Sequence, residues 1–286
     1  MSYSNKNFSQ PSLLKPIIAV VAVLLVFGII YSVSSSKPKT NQEADANNKE
    51  TNKVKPTGLD LDKRVTNVKD VEEVVAKWIE TNPQMVIDSI QKMQVKMMEE
   101  HSKNAQKNIS SKKDDLLNDK TSPEYAPSGY DVTIVEFFDY SCGYCKKAQP
   151  TIEELVKSDS KVRIIYKDFP ILGQISTEMA QVSIAVSLVE PKGFKKFHDA
   201  LMSSNEKGKS GALKIAKSVG INTAKIEVAL NNDKDKINKI IEKNITLGSS
   251  IGVNGTPGFV IGEDLIPGAV DISEFKAKIQ ALRDKK

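Results

Sequence analysis

Val132-Thr133-Ile134-Val135-Glu136-Phe137-Phe138-Asp139-Tyr140-Ser141-Cys142-Gly143-Tyr144-Cys145 is the stretch from which the rest of the chain can be read. Val132, Ile134 and Phe138, with Val135 and Phe137 between them, form a short, nearly continuous apolar run within Tyr130–Asp139. That is the pattern of a central strand buried on both faces. After Cys142 the period changes. Ala148, Ile152, Leu155 and Val156 recur at helical spacing from Gly143 onward, with Pro150 expected to kink the helix. Val162–Tyr166 is strand-like again. Strand, cysteine motif, helix, strand makes a βαβ unit.

Downstream, a long helical section runs from about Ser176 to Gly248, with stripes such as Ala180/Ile184/Leu188, Phe194/Phe197/Leu201 and Ile237/Ile240/Ile241. Gly258-Phe259-Val260-Ile261 reads as a third strand. Gly262-Glu263-Asp264 turns it back into Leu265-Ile266-Pro267 as a hairpin. Asp271 or Ser273 then caps a final helix carrying Phe275, Ile279 and Leu282.

Upstream, Val68, Val71, Val75 and Trp78 share a helical face. Asn82-Pro83 reads as an N-cap and first helical residue, and Val86, Ile90, Met93 and Met97 continue a second stripe that fades from about Glu99. These helices lie outside a minimal βαβ domain. Two readings stand side by side: they pack on their own domain, or residues 65–98 join identical chains. Residues 34–64 are rich in Ser, Lys, Asn, Glu and Thr and hold too little apolar surface to fold. The uncharged run Ile17–Val33 follows Lys6 and Lys15. Its length fits an uncleaved membrane anchor better than a cleaved signal, and both routes lead out of the cytoplasm. The expected organisation is an N-terminal signal or anchor (1–33), a disordered linker (34–64), a helical extension (65–121) and an α/β domain (122–286) with a helical insertion at about 171–248.

Across all 286 residues the net charge is only +5, with 27% charged and 40% hydrophobic residues, which suits a globular protein with a real core. The basic residues form no arginine-rich stripe or aromatic-interleaved patch, so nucleic acid is not an expected partner. Two cysteines in the whole chain, both in one local motif, point to chemistry and not to a disulfide scaffold. Zinc needs two further ligands, and only His101 and His198 are on offer, far apart in sequence. Haem attachment needs a histidine after the second cysteine, where Lys146 stands. No metal or dissociable cofactor is expected.

A Cys-x-x-Cys pair opening a helix places two thiols one turn apart. The first sits where unpaired N–H groups and the helix dipole favour a thiolate. Cys142 is therefore the expected nucleophile and Cys145 the resolving thiol. Glu136 is an acid in an apolar strand, on the same face as Phe138 by alternation. It either faces solvent at a strand edge or sits buried beneath the helix start, where burial would raise its pKa and suit it to proton transfer with Cys145. Thr256-Pro257, framed by Gly255 and Gly258, is a candidate cis peptide at a strand entry, poised to present the Thr256 backbone to an extended substrate.

Together, Val135–Cys145, Tyr166-Lys167-Asp168-Phe169-Pro170 and Gly252-Val253-Asn254-Gly255-Thr256-Pro257-Gly258-Phe259-Val260-Ile261-Gly262 resemble the DsbA family of thioredoxin-fold proteins, nearest its alphaproteobacterial DsbA-like and Com1-like branch. The resemblance runs from about Tyr125 to the C-terminus. It includes roughly 110 residues between Cys145 and Pro257, where such proteins insert a helical domain. It implies a thioredoxin-like fold and a periplasmic protein-disulfide oxidoreductase acting on exported cysteine-containing proteins. Its partner would be a DsbB-like membrane protein for an oxidase, or a DsbD-like one for an isomerase or reductase. It also implies Cys142, Cys145 and Glu136 as catalytic residues, with Gly143, Tyr144, Thr256 and Pro257 at the substrate site. Lys167 is implied as a charge partner for Glu136. Gly143-Tyr144 stands where many strong oxidases of the family carry Pro-His, so a less acidic nucleophile and a less oxidising protein are expected.

Overall fold

The structure is a computed structural model and describes residues 67–285. The segments expected at 1–33 and 34–64 lie outside the described residues. Among those described, no helix is long and apolar enough to cross a membrane.

The chain begins with α1 (Val68–Thr81) and α2 (Pro83–Ser111), followed by the short α3 (Lys113–Leu117). Asn67 caps α1 by accepting from the Asp70 N–H. Asn82 does not cap α2 with its side chain, as its position suggested. Its amide donates instead to the Trp78 carbonyl at 2.9 Å and closes the end of α1. The α/β core then runs β1 (Glu124–Tyr125), β2 (Val132–Phe138), α4 (Gly143–Ser158) and β3 (Val162–Asp168). The insertion follows as α5 (Gln174–Val189), α6 (Phe194–Met202), α7 (Gly208–Ser218), α8 (Thr223–Asn232) and α9 (Lys234–Ser250). The hairpin β4 (Gly258–Ile261) and β5 (Asp264–Pro267) and a last helix α10 (Ile272–Arg283) complete it. The helical run of α4 continues through Pro150.

The five strands lie in the order β1-β3-β2-β4-β5, with β2 and β3 parallel and the other pairs antiparallel. This is a thioredoxin-like sheet with its helical insertion between β3 and β4. The central strands are covered on both faces. On one, Ile134, Phe138, Ile164, Tyr166 and Phe259 pack with α4, the insertion and α10. On the other, Val135, Phe137, Ile165 and Val260 pack with Leu247, Ile251 and, from the N-terminal segment, Ile109 and Leu116. Gly248 permits the close approach of α9 there: a Cβ would come within 2.6 Å of Phe169.

That second face revises one expectation. Residues 65–121 are not wholly outside the domain, because the end of α2 and α3 supply a lid for β2 and β3. A buried parallel pair needs apolar cover on both sides. Polar side chains fix the lid in place: Gln106 donates to Asp264 (3.2 Å), Asn108 to the Ser250 carbonyl (2.8 Å) and Ser110 to Glu263 (2.8 Å).

Candidate active site

The apolar run that makes β2 ends at Phe138, and the next four residues form the turn that delivers Cys142 to the start of α4. The Cys142 N–H donates to the Asp139 carbonyl at 3.0 Å, fixing that turn. Cys142 occupies the N-cap position of α4 in an extended conformation. Both cysteines are free thiols. Cys142 is 7% exposed and Cys145 1%, so the two differ in reach as well as in position.

Their acidities diverge. Cys142 is drawn down from 9.0 to about 5, first by a hydrogen bond from the Cys145 thiol, then by the Thr256 side chain and the N–H groups of Cys145 and Tyr144, against a burial penalty. Cys145 is pushed well above its usual range, first by its hydrogen bond to Cys142 and then by burial, with Glu136 adding to the shift. Cys142 therefore loses its proton before Cys145 does. In its neutral form the Cys142 thiol donates to the Thr256 carbonyl at 3.2 Å.

Thr256-Pro257 is a cis peptide, and its loop lies against Cys142. Pro257 is buried and Thr256 half-buried, while Gly143 and Tyr144 are exposed on the rim, Tyr144 at 64%. The structure thus brings Cys142, Cys145, Gly143, Tyr144, Thr256 and Pro257 to one edge of the domain.

Glu136 lies in the middle of β2, 1% exposed, and not at a solvent-facing edge. Burial raises its pKa from 4.5 to about 8; Asp199 adds to the rise and Lys195 opposes it. Its Oε2 has no hydrogen-bond partner among the described residues. Lys167 is not its partner. Glu136 pairs in register with Tyr166, so Lys167, one residue on, points to the opposite face. There Lys167 is fully buried and donates to Asp119 Oδ2 at 3.0 Å and the Asp115 carbonyl at 3.2 Å.

Two polar groups beside the motif were not singled out from sequence. Tyr140 bonds His198 Nδ1 and Ser183 Oγ, both at 3.1 Å, and Ser183 donates to Asp168 at 3.1 Å. This buried chain ties the cysteine turn to α5 and α6, and burial holds the His198 imidazole neutral by lowering its pKa to about 3. Asp139 is the other; its side chain, 2% exposed, holds two loops together. The signal for both was present in one respect: polar residues closing an apolar strand are buried and must find partners. Among the described residues, no group of three or more His, Cys, Asp and Glu side chains is placed to hold a metal.

The DSBA-like thioredoxin domain matches residues 133–280. The thiol-disulfide exchange protein alpha-DsbA2 from Wolbachia pipientis is 31% identical, with a TM-score of 0.59 over 63% of this chain and 97% of that one. Proteus mirabilis ScsC in a transitional conformation is 28% identical, with a TM-score of 0.57 over 76% of this chain and 97% of that one. A periplasmic thioredoxin-like protein from Salmonella enterica serovar Typhimurium is 29% identical, with a TM-score of 0.54 over 59% and 94%. Among curated relatives, the chain spans only 24% of the length of Na(+)/H(+) antiporter NhaA 3 from Salinispora tropica, at 24% identity over 56% of this chain. It spans 77% of Disulfide bond formation protein D from Bacillus subtilis, at 27% identity over 56% of this chain.

Proposed function

Since this chain belongs to the DSBA-like thioredoxin domain family and is a thiol–disulfide oxidoreductase, we propose that it forms disulfides in exported proteins, on the periplasmic side of a bacterial envelope. A substrate thiolate attacks Cys142 Sγ of the oxidised pair, forming a mixed disulfide and expelling Cys145 as a thiolate that takes up a proton. A second substrate thiolate then attacks the substrate's own sulfur and expels the Cys142 thiolate. The substrate leaves oxidised by two electrons and the Cys142–Cys145 pair leaves reduced. Glu136, buried and neutral below about pH 8, is the proposed proton donor and acceptor for Cys145. The exposed Gly143-Tyr144 rim and the Thr256-Pro257 loop receive the substrate chain. A DsbB-like membrane partner would reoxidise the pair.

The observation that carries the oxidase direction is the lowered pKa of Cys142, held by the Thr256 loop and the start of α4. A stabilised thiolate favours the reduced form, and a protein with a stabilised reduced form is a stronger oxidant. The donors that depress it are Cys145, Thr256 and backbone N–H groups, so no histidine between the cysteines is needed. The Salmonella relative described as periplasmic supports the compartment; a cleaved or uncleaved N-terminal segment, residues 17–33, would provide the route. The test is equilibration of the purified protein in glutathione buffers together with thiol trapping in cells. A potential near that of the glutathione pool of an oxidising compartment or higher, and a pair found oxidised in cells, are expected. A pair held reduced in cells overturns the oxidase direction.

One observation favours a second reading, an isomerase or reductase kept reduced by a DsbD-like partner. Val68, Val71, Val75 and Ile79 on α1 and Ile90, Met93 and Met97 on α2 are all exposed. Such stripes suit a homo-oligomer joined through residues 65–98, which would hold several reactive sites around one substrate. The P. mirabilis ScsC likeness extends over more of this chain than the Wolbachia one, 76% against 63%. Light scattering of the full described segment, and of a version beginning near Ser102, checks this: self-association of the first and not the second is expected.

A further inference from the structure

The loop that sets Thr256 against Cys142 is fastened at both ends. The Val253 N–H donates to the Gly248 carbonyl at 2.9 Å, and the Gly268 N–H donates to the Pro257 carbonyl at 2.8 Å. Val253 and Pro257 are buried. Gly258 lets the loop close on itself: a Cβ there would come within 3.0 Å of the Val253 side chain. Between these fixed points stand Asn254 and Gly255, both exposed and outside any helix or strand. Among the described residues, neither the Asn254 amide nor the Gly255 N–H has a hydrogen-bond partner. Asn-Gly occurs once in the whole chain, and it is here, two residues before the carbonyl that faces Cys142.

An asparagine amide carbon can close a five-membered ring with the backbone nitrogen of the next residue. The closure needs that N–H to be disengaged from helix or sheet and the next residue to be unhindered. Gly255 meets both conditions: its N–H is open to solvent, and it has neither a Cβ to block the approach nor a narrow choice of backbone angles.

We propose that Asn254-Gly255 is a self-modification site through which ageing turns down the protein's thiol exchange. The Gly255 nitrogen attacks Asn254 Cγ. A C–N bond forms, the Cγ–Nδ2 bond breaks, and ammonia leaves with the Gly255 proton. Water then opens the cyclic imide. Opening at the side-chain carbonyl leaves aspartate. Opening at the main-chain carbonyl leaves isoaspartate, whose backbone runs through Cβ and Cγ. No oxidation state changes. Isoaspartate adds one methylene to a main chain pinned at both ends, so the added length falls on Gly255 and Thr256 and takes the Thr256 carbonyl out of its 3.2 Å contact with Cys142. Either product puts a carboxylate where a neutral amide stood, and a negative charge on this loop opposes the Cys142 thiolate. A less stabilised thiolate is a poorer leaving group in exchange. The consequence rests on the thiol-exchange reading above; the ring chemistry does not.

The test ages purified wild type and Asn254→Ser at neutral and mildly alkaline pH. Peptide mapping by mass spectrometry, with fragmentation that separates aspartate from isoaspartate, follows every asparagine. Exchange with a dithiol peptide is measured on the same samples, each relative to its own unaged protein. Conversion is expected first at position 254 and faster at the higher pH, because the attacking nitrogen must lose its proton. The wild-type rate should fall with the converted fraction, and an isoaspartyl sample should lose roughly ten- to a hundredfold, the scale of a misplaced group at a reacting centre. Asn254→Asp, measured fresh, carries the charge without the methylene; its Cys142 pKa should rise and its rate fall about threefold. Asn254→Ser should hold its rate. An Asn254 still intact when other asparagines have converted overturns the proposal. So does a converted sample that exchanges at the unaged rate, or an Asn254→Ser protein that declines as wild type does. A fresh wild type without exchange activity overturns the thiol-exchange reading and this consequence together, while the peptide map still reports the chemistry at Asn254.

Discussion

Two ionisable groups sit back to back in the central sheet. Glu136 on β2 points to the face shared with α4, and Lys167 on β3 points to the face covered by α2, α3 and α9. Both are buried, at 1% and 0% exposure. Lys167 has two hydrogen-bond partners, Asp119 and the Asp115 carbonyl. Asp119 holds it at 3.0 Å, and although burial works to raise the Asp119 pKa, hydrogen bonds from Thr121 and Lys167 bring it well below the usual carboxyl range. Lys243 adds a second cation 3.3 Å from the same carboxylate. Glu136 has an oxygen with no such partner, and its pKa moves the other way. One face satisfies its buried charge and gains rigidity. The other leaves a buried acid poised to change protonation, which costs stability and is kept where a proton must move.

The largest expected effect breaks the satisfied face altogether. A chain beginning at Ser122 loses Ile109, Leu116 and Asp119 together, uncovers Val135, Phe137 and Ile165, and deprives Lys167 of its carboxylate. It should fail to give a cooperative thermal transition. A chain beginning near Ser102 keeps the lid and should melt as the longer protein does. Equal melting of both would show that this face needs no cover from the N-terminal segment.

Next in size is Asp119→Ala, which strands the buried lysine and should destabilise by about 3–5 kcal/mol in denaturant titration. Adding Lys167→Met to the same chain should recover most of that loss, because a flexible apolar side chain of similar length removes the stranded charge.

Glu136→Gln should act in the opposite direction on stability. A carboxyl raised from 4.5 to about 8 costs nothing below pH 4.5, where it is protonated folded or unfolded. The cost grows as pH rises past 4.5 and is complete above about pH 8. The variant should therefore match wild type at pH 4 and exceed it at pH 7 by up to roughly 3 kcal/mol. Its exchange rate should fall on the order of a hundredfold if Glu136 serves Cys145. A variant that is neither more stable nor slower removes the contrast between the faces.

The smallest effect on stability is expected from Met97→Ala, whose side chain is 60% exposed: within about 0.5 kcal/mol by thermal melt. Ile109→Ala on the same helix, from 2% exposure, should cost about 2–5 kcal/mol. Self-association is the property Met97→Ala should weaken.

The strands, the cysteine motif and the Thr256-Pro257 loop were legible because each carries a local signature: an apolar β run, a helix start, a proline between glycines. What was missed depended on register or on distant partners. Lys167 was paired with Glu136 by the family resemblance alone. Only the pairing of Glu136 with Tyr166 shows that Lys167 faces away. Asp119 sits in a polar stretch with no periodic signal, and its partner is 48 positions on. The second apolar stripe was read as fading from about Glu99 because Lys, Asn and Ser fill the next turns. The helix nevertheless continues to Ser111 and buries Ala105 and Ile109. Asp139 and Tyr140 looked like punctuation between strand and motif, since the loops and helices they hold are written far downstream.

The insertion between β3 and β4 also sets a timetable. Strand β2 pairs with β3 through Val132↔Val162, but its other neighbour, β4, comes only after the whole insertion, with Ile134 against Ile261. Cys142 and the Thr256 carbonyl that faces it are 114 positions apart. A chain made from its N-terminus therefore displays both cysteines, and one open edge of its central strand, well before the loop that completes the site exists. Non-local pairings of this kind form slowly. During that interval the newborn enzyme is itself an unfolded protein with two unprotected thiols, open to the same disulfide exchange it will later perform.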